Sequence, residues 1–197
     1  MIHSPGFAPP RPIDVALGLA PVGPKGFAVA RELADTVILT GPPGAEQCPF
    51  GEIVLLANGT VLGPGEDHHS PRVVEAAGAW YAAGVHSLYE WAPGALPSVP
   101  GGAEWGARIE AERPDGERHL AVHEGHLVTV TDRDRPLVDA AGERLLAGPL
   151  SGAPQEVAAR LAAVGAAGVT EVAYSPSGPD IARELEAFAA AARQGGA

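Results

Sequence analysis

Short apolar runs rich in β-branched residues alternate along this chain with stretches whose apolar positions recur every three or four residues. That alternation predicts strands and helices in turn. Residues 13–20 (IDVALGLA) predict a short buried strand. After the turn at Pro21, Pro24 suits a first helical position, and Phe27, Ala30, Leu33 and Ala34 then fall on one face. Residues 36–40 (TVILT) predict a second strand that ends at a Gly-Pro-Pro-Gly turn. Strand, helix and strand within about thirty residues is the length of a βαβ crossover, which makes parallel sheet.

A third strand is predicted over residues 52–62 (EIVLLANGTVL). Ser70-Pro71 then supplies an N-cap and first helical residue for a helix burying Val73, Val74, Ala77, Trp80 and Tyr81. Residues 84–150 are Pro/Gly-punctuated and predict several short helices. Regular order returns with Val157, Leu161 and Val164 on one helical face, closed by Gly168. A strand over residues 169–174 and a last amphipathic helix carrying Ile181, Leu185, Phe188 and Ala192 follow. The expected class is α/β: about four parallel strands with flanking helices, a partial (β/α) barrel of TIM type. The expected organisation is a single domain over 1–197, with an extended lead-in (1–12), βα units (13–83), a mostly helical insertion (84–150) and the last βα units (151–197).

Composition narrows the function. Of 197 residues, 46% are hydrophobic and the mean hydropathy is +0.06, enough for a sizeable core. Thirteen Lys and Arg against 24 Asp and Glu leave a net charge of −11, which argues against nucleic acid or an anionic membrane surface as partner. The single Cys48 cannot form an intrachain disulfide, and no CxxC or Cys/His zinc pattern occurs. No apolar run approaches a membrane span, and the first residues lack the basic-then-apolar pattern of a secretory signal. A soluble, cytoplasmic protein acting on a small molecule is expected.

All basic residues but one are arginines. The one lysine, Lys25, sits in the loop Val22-Gly23-Pro24-Lys25-Gly26-Phe27 between a strand and a helix. A helix start offers unpaired N–H groups to an anion, and Gly23 and Gly26 allow close backbone approach. The macrodipole disfavours a cation in that first turn, so Lys25 makes better sense beside an anion. The alternative is a plain turn with a solvated lysine. Thr40 ends the next strand on the same expected face.

His119, His123 and His126 fall at i, i+4 and i+7, a spacing that can hold zinc on one helical face. Without an HExxH pattern or a carboxylate-rich partner segment, a packed or half-exposed histidine face is favoured, and no metal is expected. His3 and the adjacent His68 and His69 are weaker acid/base candidates. Cys48 has no histidine close in sequence to activate it. Trp80, Tyr81, Trp91 and Trp105 suit packing or a cavity wall. In residues 131–136 (TDRDRP), Arg133 and Arg135 alternate with Asp132 and Asp134 as a self-neutralising solvated face.

Three stretches resemble the luciferase-like monooxygenase family, the flavin- or deazaflavin-dependent oxidoreductases built on a TIM-type barrel. Residues 15–41 (VALGLAPVGPKGFAVARELADTVILTG) are similar to that family's fifth strand, fifth helix and sixth strand, and residues 52–62 to its seventh strand. Residues 151–193 (SGAPQEVAARLAAVGAAGVTEVAYSPSGPDIARELEAFAAAAR), the most specific of the three, resemble its last two helices around the eighth strand. The resemblance implies an oxidoreductase or monooxygenase whose cofactor, FMN or the deazaflavin coenzyme F-420, has its phosphate on Val22, Gly23, Lys25, Gly26 and Phe27, with Thr40 within reach. It implies no metal. The family's four upstream βα units have no counterpart here, so a truncated member or a Met1 internal to a longer reading frame is also expected. Four strands cannot close a barrel, so a homodimer is expected. The alternative is a non-catalytic half-barrel or gene fragment that acts only by binding or dimerising.

Overall fold

The computed structural model describes residues 15–41, 43–44 and 49–195. The lead-in, the start of the first expected strand, His3 and Cys48 lie outside these residues. Four strands, β1 (Gly18–Leu19), β2 (Thr36–Leu39), β3 (Glu52–Ala57) and β4 (Glu171–Tyr174), form one sheet in the order β1-β2-β3-β4 with every pair parallel. Between and after them run α1 (Gly23–Leu33), α2 (Pro71–Trp91), α3 (Gly102–Glu112), α4 (Arg118–Val122), α5 (Arg135–Ala141), α6 (Pro154–Ala166) and α7 (Ile181–Gly195). The class is α/β, with a parallel sheet flanked by helices.

Register explains how the sheet buries its apolar residues. Leu19, Val37 and Ile53 line up across the strands, as do Leu39, Leu55 and Val172. Because side chains alternate along a strand, these rows share one face. That face packs on Phe27 and Ala30 of α1, Val157 and Leu161 of α6, and Phe188 and Ala191 of α7. The opposite face carries Ile38, Val54 and Leu56, and Ile38 and Leu56 remain exposed. The sequence, with apolar residues on both sides of its strands, suggests cover on two sides; instead α1, α6 and α7 all gather on one.

Every strand is shorter than the sequence predicts: β2 lacks Thr40, β4 lacks Val169 and Thr170, and β1 and β3 are cut back further. β1 spans two residues, and Val15 and Leu17 before it are exposed rather than buried. Among the described residues the sheet ends at this strand, with no neighbour on its outer side; Asp35 holds it by accepting a hydrogen bond from the Leu17 N–H at 2.7 Å. β3 stops at Ala57, because the chain turns at Gly59 to run beside residues 148–152, and Val61 forms one parallel bridge with Gly152. At Gly59 φ is +152°, and an added Cβ would lie 2.3 Å from the Leu150 carbonyl carbon and oxygen.

Tyr174 locks this turn to β4. Its hydroxyl donates to the Gly59 carbonyl at 2.7 Å while its ring stacks on Phe188 at 4.0 Å. Burial raises the phenol pKa above its ordinary value, so the group remains a donor. Tyr174→Phe keeps the stacking and removes the bond, and is expected to lower stability by about 1 kcal/mol in denaturant unfolding. An unchanged midpoint would show that this bond contributes nothing.

The start of α2 is tied down by charge. Arg72 pairs with both Glu66 and the buried Glu184 of α7, and Thr60 Oγ1 donates to Glu184 at 2.8 Å. Hydrogen bonding from Arg72, working against burial and helped by the Gly63 N–H, pulls the Glu66 carboxyl down to about 2. Ser70 does not cap α2 with its side chain; its Oγ accepts from the Asp67 N–H instead.

The helical insertion has cores of its own. Val85, Leu96, Trp105, Ile109, Val122 and Leu137 form one cluster, and Ala77, Val130, Val138 and Leu145 another. α2 continues to Trp91, past the expected boundary at residue 84, because its Ala-rich face supports both clusters. Among the described residues, no helix is long and apolar enough to cross a membrane.

Candidate functional site

In a parallel sheet the carboxyl ends of the strands face the ligand. Here they carry three adjoining cavities. The first, about 260 Å³, is lined by residues 20–23, Phe27 and the strand-end residues 38–41. Val22, Gly23, Phe27 and Thr40, singled out from the sequence, therefore meet in one cavity. Gly23 has φ +67°, a conformation suited to glycine, and it opens α1 with no side-chain cap and no acidic residue in the first turn. The first N–H groups of α1 are thus left for another acceptor. Gly26 does not line this cavity and lies against Pro21, where an added Cβ would sit 3.4 Å from Pro21 Cα. Lys25 is exposed on the same turn, outside the lining. These residues fit an anionic group bound through the backbone, with the exposed Lys25 as a nearby positive charge.

Thr40 is also a wall of a second cavity, about 300 Å³, whose lining includes Leu56, Asn58, Trp80, Gly84, His126 and Leu127. Asn58, Trp80 and Gly84 are in turn shared with a third and larger one, about 470 Å³, between the end of β3 and the insertion. Tyr81 and Arg144 face it from opposite elements. The Tyr81 hydroxyl is buried and has no hydrogen-bond partner among the described residues. Burial raises its pKa, Arg144 partly offsetting it, so it is a proton-bearing donor at neutral pH. Trp91, by contrast, is 84% exposed and lines none of these cavities.

The histidines lie differently from their sequence spacing. α4 ends at Val122, and the chain then turns through Gly125 (φ +67°) and Leu127 (φ +60°). His123, whose N–H still bonds the His119 carbonyl at 3.0 Å, closes α4, and the turn at Gly125 sets His126 beside it, both next to His86 of α2. One ring nitrogen from each of His86, His123 and His126 lies within 4.8 Å of the others. His86 stacks on Trp105 with ring centroids 5.3 Å apart, and its Nε2 bonds Asp134 at 3.1 Å. Asp134 also accepts from Trp105 Nε1 at 2.9 Å and Thr131 Oγ1 at 2.8 Å. Burial opposes ionisation of Asp134, and the bonds from His86, Thr131 and Trp105 outweigh it, holding the carboxyl below its usual range. Burial, with the nearby His123 and His86, holds the His126 imidazolium below its usual range.

The charge run 131–136 is therefore not the solvated face its alternation suggests. Asp134 is buried, Arg133 bonds Glu112 and the Ala121 carbonyl, and Arg135 pairs with Glu75. A visible sign was available in Pro136, which marks Asp134 as the residue entering a helix. His86 carried no such sign, standing alone within an Ala-rich helix. His68 and His69 lie 3.9 Å apart in the loop before α2, outside all three cavities.

No protein-family model matches the sequence, and no curated protein matches it either.

Proposed function

We propose that this protein is a flavin- or deazaflavin-dependent oxidoreductase of the luciferase-like type, possessing a (β/α)-barrel half in which the strand ends bind the cofactor. The observation that carries this reading is the line of three cavities, which runs from the start of α1 past Thr40 to Trp80 and Tyr81. An elongated ligand with an anionic tail suits that shape. The α1 N–H groups and Lys25 would hold the phosphate of FMN or F-420, and Thr40 would stand beside its middle. When bound, the cofactor supplies the redox chemistry. The chain's own part is to bind, orient and exclude water: Trp80 and Leu145 give the 470 Å³ cavity an apolar wall, and Tyr81 and Arg144 offer a donor and a positive charge to a substrate oxygen.

The second reading is a non-catalytic half-barrel that pairs with another copy of itself. The exposed Ile38 and Leu56, on the sheet face opposite α1, α6 and α7, favour it. Titration with FMN and with F-420, followed by absorbance and fluorescence, separates the two. Saturable binding of one at micromolar concentration or below is expected. Lys25→Ala should weaken it several-fold, and Thr40→Trp, which fills the junction between cavities, by about tenfold or more, or about 1.4 kcal/mol. Absence of saturable binding for both would overturn the oxidoreductase reading, and a dimer in sedimentation would then support the second.

A further inference from the structure

We propose that His86, His123 and His126 form a binding site for one divalent transition-metal ion of the zinc type. The argument begins with His86. It is 2% exposed, and its Nε2 is engaged by the ionised Asp134, which can only accept. Nε2 therefore carries the proton, and Nδ1 presents a lone pair. That Nδ1 is buried and without a hydrogen-bond partner among the described residues. Buried polar atoms are nearly always satisfied, so an orphaned acceptor on a ring whose centroid lies 6.2 and 5.9 Å from two further imidazoles points to a missing electrophile.

The other two rings complete the set. His123 Nε2 is bonded to Glu90 Oε1 at 2.7 Å, which again leaves Nδ1 as the lone-pair atom. It lies 3.5 Å from His126 Nδ1. Two imidazole nitrogens on one tetrahedral zinc ion, each about 2.0–2.1 Å from the metal, stand roughly 3.3 Å apart. The widest spacing in the trio, within 4.8 Å, closes by small rotations of the exposed His123 and His126 rings, while Trp105 and Asp134 fix His86.

The surroundings match those of ligating histidines, which commonly donate their second N–H to a carboxylate that sets tautomer and ring orientation. Here Asp134 does this for His86 and Glu90 for His123. Borderline imidazole donors without a thiolate suit zinc, cobalt, nickel or copper rather than magnesium or calcium. Three protein ligands leave a fourth position open, the arrangement of reactive rather than purely structural zinc. His126 also lines the 300 Å³ cavity, so an ion held there stands beside the space that Thr40, Asn58 and Trp80 enclose. The expectation of no metal, drawn from the spacing of His119, His123 and His126, is set aside on this geometry.

The test reads metal uptake alone and is independent of cofactor binding. The whole chain, stripped with chelator, is titrated with Co²⁺ and then Zn²⁺. Saturation at one ion per chain is expected, with the visible absorption of four-coordinate cobalt, lost when zinc displaces it. His123→Ala and His126→Ala should each weaken binding by about tenfold or more, and Glu90→Gln by about tenfold. His119→Ala should leave it unchanged. Because His86→Ala alters a buried position, the exposed pair carries the test, with circular dichroism confirming the fold. A folded chain that takes up no stoichiometric metal, or binds equally well after loss of His123 and His126, would overturn the site and leave a cluster of hydrogen-bonded imidazoles.

Discussion

Arg72→Leu is expected to lower the folding stability by about 3–5 kcal/mol, read as a large drop in the denaturant midpoint. The reason lies in the partner left behind. Glu184 is 1% exposed and takes its charge compensation from Arg72, with Thr60 Oγ1 as a further donor and the half-buried Arg183 at 3.1 Å. Removing the guanidinium leaves the buried carboxylate with only Thr60 and the half-buried Arg183, and α2, α7 and the segment after β3 lose their common tie. Replacing Arg72 and Glu184 together by leucine should recover part of the loss, because no charge of this network then remains fully buried and Glu66 keeps Arg183 at 3.7 Å. A loss below about 1 kcal/mol for Arg72→Leu would refute this account and place the pair among weak surface bridges.

The same network sets an acid limb. Glu66 falls to about 2 in the folded chain from an ordinary 4.5, chiefly through its bond with Arg72. A depressed pKa means that the unfolded chain binds more protons in this window, so stability rises with pH there. The contribution is present above pH 4.5 and is lost as the pH falls toward about 2. In Arg72→Leu this part of the pH dependence should flatten.

Gly59→Ala is the second large effect, expected at about 3–5 kcal/mol from overpacking and backbone strain combined. The atoms an added methyl would meet are backbone: the Leu150 carbonyl at 2.3 Å and the Ser151 nitrogen at 2.8 Å. No rotamer change relieves such a contact. The neighbouring bonds, from the Leu150 N–H to the Asn58 carbonyl and from the Gly152 N–H to the Thr60 carbonyl, hold both segments in place. Since Asn58 and Gly59 both line the 470 Å³ cavity, the variant should disturb that cavity as well. Gly116→Ala, in an open turn, is the control and should stay within about 0.5 kcal/mol. Equal midpoints for the two variants would show that the approach of residues 148–152 is not rigid.

Much of the parallel sheet could be read from the chain because its signals are local. Runs such as residues 36–39 and 52–57 are β-branched or aliphatic and bounded by Gly, Pro or polar turns, and each becomes a strand. The convergence of Val22, Gly23, Phe27 and Thr40 follows from strand direction alone, since parallel strands bring their ends to one side. What escaped depends on distant pairing. Whether Leu17 is buried depends on what lies beyond β1, and among the described residues β1 is the edge of the sheet. The histidine spacing does not give the cluster because α4 ends at Val122 and a left-handed turn at Gly125 takes His126 off the helical face that i, i+4 and i+7 assume. His86 and Asp134 lie 48 residues apart, and only the folding of α2 against α5 brings a lone histidine to a carboxylate hidden in an alternating charge run.

The position of β4 has a consequence for how the chain is made. Its neighbour in the sheet is β3, yet the bond between the Ile53 N–H and Thr170 spans 117 residues. During synthesis β3 leaves the ribosome long before its partner exists, and the whole helical insertion emerges in between. Its free edge must wait through that interval with backbone groups unsatisfied by sheet, when association with other nascent chains is easiest. The insertion's separate clusters can condense meanwhile, so the slow, late event is the arrival of the last strand and the two helices that hold it.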